Sequence, residues 1–135
     1  MSCTECSRAT FAFRVPEDLR GCLPENAGAA AICVSCLTLQ PPAPSESVQH
    51  QPDLTRVSDA FPPDPDSGVS MALVVGLLES LALNRPQIEG LLERVERAGN
   101  DPMLILERLA DDPDLNPAMD LRGRRRQLEQ LIGKG

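Results

Sequence analysis

Two C-x-x-C units, Cys3-Thr4-Glu5-Cys6 and Cys33-Val34-Ser35-Cys36, constrain this chain more than any other feature. Each unit is a tight turn that brings two sulfurs to one side of the backbone. Two such turns facing each other offer four thiolates to a tetrahedral ion and leave no coordination position open. The pattern predicts one structural metal ion, Zn2+, held by Cys3, Cys6, Cys33 and Cys36. The gap from Cys6 to Cys33 is longer than the roughly 15 to 20 residues of the simplest ribbon spacing, so an excursion between the knuckles is expected. Iron is the second metal, since a rubredoxin-like electron carrier also binds one ion through two C-x-x-C knuckles. Such sites use a packed aromatic core and Gly-rich knuckles, and this chain has neither. A thioredoxin-like dithiol would need one motif at a helix start rather than two separated turns. Cys22, the fifth cysteine, reads as a small apolar core residue or a spare ligand.

Around the knuckles the pattern is that of short strands. Thr10 to Val15 alternates with Phe11, Phe13 and Val15 on one face, and Ala29 to Ile32 runs apolar into the second knuckle. Between them, Pro16-Glu17-Asp18-Leu19 reads as a helical turn opened by proline. Knuckle, strand, excursion, strand, knuckle is the order of a zinc ribbon over residues 1–39. A unit of that size sits at the limit of about 40 residues below which a metal or disulfide is usually needed for folding. Residues 40–68 follow as a semi-extended, acidic, Pro-rich linker, carrying Pro41, Pro42, Pro44, Pro52, Pro62, Pro63 and Pro65. Within it Leu54, Val57, Ala60 and Phe61 have helical spacing, and Phe61 is the expected anchor if this stretch docks on a neighbour.

Residues 69–135 read as a bundle of about four short helices, making the chain α+β. Helix one is expected over Val69–Leu83 behind Ser67 or Ser70 as cap. Helix two follows Asn84, has Pro86 in its first turn and ends at Gly99. Helix three runs from Asp101-Pro102 to just before Asp111-Asp112-Pro113, and helix four from Asn116-Pro117 to about Ile132, ended by Gly133 and Gly135. Helix two carries a one-sided stripe of Ile88, Leu91, Leu92 and Val95. Helix one is apolar all the way round, so either the other helices enclose it or a second copy of the chain does. The expected partners are therefore a protein bound by the helical module or a homodimer through it.

Charge narrows the function classes. The formal net charge is −7, most of it in the middle segment, where Glu46, Asp53, Asp59, Asp64 and Asp66 face only Arg56. Such a chain repels phosphate backbones on average, which disfavours non-specific nucleic-acid binding. The one basic cluster is Arg122, Arg124, Arg125 and Arg126. It supports an alternative reading as a nucleic-acid-associated regulator using the ribbon and this cluster. Its competitor is a salt-bridged helix face, because Asp120 with Arg124 and Arg125 with Glu129 are i,i+4 pairs. No apolar stretch reaches the length of a membrane span and no secretion leader opens the sequence, so a cytoplasmic protein is expected. A reducing cytoplasm keeps cysteines as thiols, which favours metal over disulfide. His50, the single histidine, lies in the linker and reads as solvated. The runs beginning at Asp64 and Asp112 fail as calcium loops, because Val69 and Pro117 stand where Gly must make the turn. With no Ser/His/Asp set, no Gly-rich phosphate loop and no H-E-x-x-H, no catalytic residue is assigned and an enzyme is not expected.

The opening Met1-Ser2-Cys3-Thr4-Glu5-Cys6, the stretch from Phe13 to Arg20, the second knuckle and the helical tail from Leu73 to Leu131 together resemble a family of small zinc-ribbon proteins of halophilic archaea with no assigned activity. That family is similar to the CPxCG-type zinc-finger proteins. Here Thr4-Glu5 and Val34-Ser35 lack the proline, and Ser7 and Leu37 replace the glycine. The resemblance implies a metal site and a salt-adapted cytoplasm. The near-exclusive use of Arg over Lys and the acidic excess agree with that setting.

Overall fold

A computed structural model describes residues 3–132. Strand β1 (Thr10–Arg14) pairs antiparallel with β2 (Ala29–Cys33), Phe13 opposite Ala30 and Thr10 opposite Cys33. The excursion between them holds two 3-10 segments, Glu17–Cys22 behind Pro16 and Pro24–Asn26. Two edge strands complete the sheet: β3 (Leu39–Gln40) runs antiparallel to β2 and β4 (Val48–Gln49) parallel to β1, in the order β3-β2-β1-β4.

The stretch expected as a linker thus supplies part of β3 and all of β4. Proline explains why β3 is short: it has no N–H for a ladder, so Pro41 and Pro42 end that strand after two residues. Beyond β4 a 3-10 turn at Leu54–Arg56 is capped by Asp53, which accepts from Thr55 N at 3.0 Å. Leu54 and Phe61 are buried, as the helical spacing of that patch suggested.

Helix α1 (Pro65–Leu77) begins four residues before the expected start. Its cap is Asp64, which accepts from Ser67 N at 3.0 Å, with Pro65 at the first helical position. It also ends early. A 3-10 turn at Leu78–Ser80 intervenes, and α2 (Leu81–Arg97) is under way before Asn84. Pro86 therefore lies inside α2 rather than in its first turn. The missing N–H would have met the carbonyl of Ala82, and both residues are exposed, so that carbonyl is not left unpaired in the core. Gly99 ends the helix at φ 92°, with Asn100 N donating to Val95 O at 3.2 Å. Helix α3 (Pro102–Asp111) starts where expected and runs one residue further, through Asp111, capped by Asp101, which accepts from Met103 N and Leu104 N. Helix α4 (Leu121–Ile132) starts later than Asn116-Pro117. The expected stops at Gly133 and Gly135 lie outside the described residues.

One apolar cluster joins these parts. Phe13, Val15, Ile32 and Leu37 from the sheet, Leu54 and Phe61 from the middle, and the buried stripes of α2, α3 and α4 belong to it. Helix α1 runs through its centre, with every residue from Ser67 to Val75 buried. Leu54 and Pro62 press on Gly68 near its start and Leu39 on Gly76 near its end. The chain itself therefore covers the all-round apolar stretch from Ser67 to Val75, the first of the two ways the sequence offers to bury it. An ionic clamp adds to the packing: Arg94 on α2 grips Asp66 in the first turn of α1 and reaches Asp18 in the β1–β2 excursion at 2.5 Å.

Candidate metal centre

The two knuckles are built alike. In the first, Cys3 N donates to Arg8 O at 2.7 Å and Ser7 N to Cys3 O at 3.0 Å. In the second, Cys33 N donates to Thr38 O at 3.0 Å and Leu37 N to Cys33 O at 3.2 Å. The residue after each second cysteine must turn left-handed for the chain to leave, and Ser7 and Leu37 do so at φ 66° and 65°. These are the positions where CPxCG-type knuckles use glycine, so the geometry is kept at the cost of backbone strain.

Strand pairing brings the knuckles face to face. Thr10 opposite Cys33 sets the register, and Val34 N donates to Ala9 O at 3.1 Å across the gap. Thr4 N, at the tip of the first knuckle, donates to Gln40 Oε1 on β3 at 3.0 Å.

All four sulfurs then lie within 4.8 Å of one another. Cys3 Sγ is 3.6 Å from Cys36 Sγ, and Cys6 Sγ is 3.4 Å from Cys33 Sγ. Tetrahedral bonds of about 2.3 Å to sulfur imply ligand separations of roughly 3.8 Å, so this spacing fits a single ion. All are free thiols. The set is the only group of three or more metal-ligating side chains placed for one ion among the described residues.

Burial and hydrogen bonding differ around the shell. Cys3, Cys33 and Cys36 are buried, whereas Cys6 is exposed. Backbone N–H groups point at the sulfurs: Glu5 N at Cys3 Sγ (3.3 Å), and Ser35 N and Cys36 N at Cys33 Sγ (3.4 and 3.3 Å). Thr38 Oγ1, 3.1 Å from Cys36 Sγ, is placed to donate to a thiolate. Burial raises the Cys33 and Cys36 thiols above their usual range. Burial acts the same way on Cys3, but the N–H groups of Glu5 and Cys6, joined by the neighbouring sulfurs, outweigh it and bring the thiol down from 9.0 to about 7. Such donors favour the thiolate that a metal needs.

The remaining residues singled out from sequence lie elsewhere. Cys22 is half-buried against the main core and its thiol is raised by burial. Phe13 is fully buried, while half-buried Phe11 lies under the Arg56 guanidinium at 5.8 Å. His50 is exposed. The arginine cluster is largely engaged within the fold. Arg122 pairs with Asp111, Arg124 donates to Glu79 O and Gln127, and Arg125 donates to Met103 O and pairs with Glu129 at 3.5 Å. The Asp120–Arg124 pair is replaced by a cap, Asp120 Oδ1 accepting from Gly123 N at 3.0 Å.

Sequence reasoning missed one part of the site. Asn116 N donates to Ser35 O at 2.8 Å and Ala118 N to Cys36 O at 3.0 Å, so the approach to α4 is bonded to the second knuckle. These bonds use backbone groups only, and no side-chain pattern could have signalled them. They also explain the late start of α4, since the N–H groups of Asn116 and Ala118 are committed to the knuckle. Beside them a cavity of about 70 Å3 lies between Cys36, Leu37, Gly76 and Met119.

No helix among the described residues is long and apolar enough to cross a membrane. No curated protein and no solved structure matches the chain. A family profile spanning residues 2–132 does match, and the chain belongs to that family, the family of unknown function DUF6276.

Proposed function

We infer that this chain is a non-enzymatic, zinc-binding adaptor or regulatory protein. Cys3, Cys6, Cys33 and Cys36 hold one structural Zn2+, and the helical part meets a protein partner. The observation that carries the reading is the convergence of four free sulfurs into a closed shell whose second knuckle is bonded to the approach to α4. A four-sulfur shell leaves no position for a substrate, the signature of structural rather than catalytic zinc. The lone histidine is exposed and distant in sequence from the knuckles, so no imidazole is at hand for acid–base chemistry there.

Zinc is favoured over iron because the interior lacks the packed aromatic shell of a rubredoxin: Phe13 and Phe61 are the only aromatics buried among the described residues. Residues 3–39 are the described part whose folding the ion supports, with residues from 54 to 132 completing the shared core. The acidic, Arg-biased composition suits the salt-rich cytoplasm implied by the resemblance to haloarchaeal ribbon proteins. A protein partner is favoured over nucleic acid because Arg122, Arg124 and Arg125 already serve partners within the fold.

Elemental analysis of the purified chain, read together with its visible spectrum, tests the metal: about one zinc per chain and a colourless solution are expected. Stoichiometric iron with a thiolate charge-transfer band would overturn the assignment. Binding to nucleic acid measured over a range of salt separates the partner classes, since phosphate contacts would give a steep salt dependence.

A further inference from the structure

We propose that Cys6 is an oxidation site, and that a two-electron oxidant of the hydroperoxide class links it to Cys33 across the two knuckles and empties the metal shell. This rests on the metal reading above and adds a regulation to it. Two independent features point to this pair. Cys6 is the one exposed cysteine of the four, while Cys3, Cys33 and Cys36 are between 0 and 6% exposed, so an oxidant arriving from solvent meets the Cys6 sulfur first. Its neighbour across the shell is Cys33, at 3.4 Å between sulfurs. Register supports the same pairing, because Cys33 ends β2 opposite Thr10, the residue that begins β1 shortly after the first knuckle. Joining these sulfurs needs an approach of somewhat over 1 Å to reach the disulfide length of about 2.05 Å.

The chemistry balances with the oxidant alone. The Cys6 thiolate attacks one peroxide oxygen, the O–O bond breaks, and hydroxide leaves. The sulfur is oxidised to sulfenic acid and the peroxide is reduced. The Cys33 thiolate then attacks the Cys6 sulfur, the S–S bond forms, the S–O bond breaks, and a second hydroxide leaves. Each hydroxide takes a proton from buffer. Two thiolate ligands are consumed, and Cys3 and Cys36 alone do not hold a divalent ion in a closed shell. The change does not stop at the site, because the second knuckle carries the bonds from Asn116 and Ala118.

The test uses the full chain loaded with zinc. Metal content is measured first, hydrogen peroxide is then added in equimolar amount, released zinc is followed with a chromogenic chelator, and disulfides are mapped by proteolysis and fragmentation mass spectrometry. Release of about one zinc per peroxide consumed, with Cys6–Cys33 as the first linkage, is expected. The variant Cys22→Ser should give the same release and the same linkage. A first linkage within a knuckle, Cys3–Cys6 or Cys33–Cys36, or one to Cys22, overturns the proposal. So does retention of zinc by a chain that was loaded, or release with no disulfide. A chain that holds no stoichiometric metal before peroxide refutes the metal reading itself, a distinguishable failure that removes the proposal with it.

Discussion

Asn116 donates its backbone N–H to the carbonyl of Ser35 across 2.8 Å, tying the chain's last helical approach to the middle of its second cysteine turn. Ala118 repeats the contact at Cys36, 3.0 Å away. Loss of the metal should therefore be felt well beyond the ribbon. Structural zinc contributes about 10 to 16 kcal/mol of binding free energy in small fingers, and four thiols crowded without an ion would let the knuckles open. A strong chelator is expected to abolish amide-exchange protection in the knuckles and, together with it, at Asn116 and Ala118. The buried amides of α1 are expected to stay protected longer, since α1 is held by apolar packing. Protection at Asn116 and Ala118 that survives chelation while the knuckles open would show the two halves to be uncoupled.

The two left-handed knuckle residues should respond oppositely to glycine. A non-glycine residue in this region costs about 1 to 2 kcal/mol, which glycine relieves at an entropic cost of about 0.5 to 1 kcal/mol. Ser7 is exposed, so relief dominates and Ser7→Gly should leave stability unchanged or raise it by up to about 1 kcal/mol. Leu37 is 2% exposed and belongs to the main core. Removing its side chain costs about 2 to 5 kcal/mol, more than the relief provides, so Leu37→Gly should destabilise by a few kcal/mol. Urea midpoints of the zinc-loaded variants check this, and a stabilised Leu37→Gly would contradict it.

Much of the site was legible because C-x-x-C carries its own local geometry: two thiols on one turn need no tertiary information. The same holds for α3, where Asp101-Pro102 marks the start by a cap and a pre-set φ. Asp64-Pro65 carries the identical signal at α1, and the competing Ser67 and Ser70 obscured it. The break at Leu78–Ser80 had no such marker. No glycine or proline stands there, Ser80 leaves helical geometry at ψ 58°, and buried Leu78 and Leu81 keep a helical i,i+3 spacing across the exposed Glu79-Ser80 pair. Strands β3 and β4, two residues each, lie below the length at which alternation can be read. The parallel pairing of Ala12 with Val48 is a tertiary contact that no local pattern encodes.

Arg94 makes acid stability depend on a surface carboxylate. Its Nε and Nη2 hold Asp66 at 2.9 and 2.6 Å, and its Nη1 reaches Asp18 at 2.5 Å. The hydrogen bond from Arg94 holds the Asp18 carboxyl below its usual 3.8. A carboxyl lowered on folding contributes stability that is fully present above its unfolded value of about 3.9 and is lost as pH falls through the folded value. Asp18→Asn should therefore lower the urea midpoint at pH 7 by a small amount, Asp18 being largely exposed, and the gap to the parent chain should close in acid below pH 3.8. A gap that stays constant with pH would refute the link. Arg94→Lys, which cannot grip Asp66 with two nitrogens, should cost about 1 kcal/mol at neutral pH.

Gly76 sets how closely α1 approaches the sheet. A Cβ placed there would overlap Leu39 Cδ1 and stand 2.7 Å from Cγ and 3.3 Å from Cβ of the same side chain, which projects from β3 onto the helix. Two effects compete in Gly76→Ala. Alanine gains about 1 kcal/mol of helix propensity over glycine, whereas forcing an extra carbon into a packed contact typically costs about 1 to 3 kcal/mol. The clash reaches Leu39 Cγ, not merely its tip, so the leucine must leave its rotamer, and Gly76→Ala is expected to destabilise by about 1 to 2 kcal/mol. The strain also lies close to the second knuckle, because Leu39 and Gly76 line the same small cavity as Cys36. The expected signature is therefore a lowered urea midpoint together with weaker metal retention against a competing chelator. Shortening the opposing side chain removes the overlap, so the double variant Gly76→Ala with Leu39→Ala should be more stable than the sum of the two single effects allows. Strict additivity in that cycle, or a stabilised Gly76→Ala, would mean that the helix sits farther from β3 in solution than this packing requires.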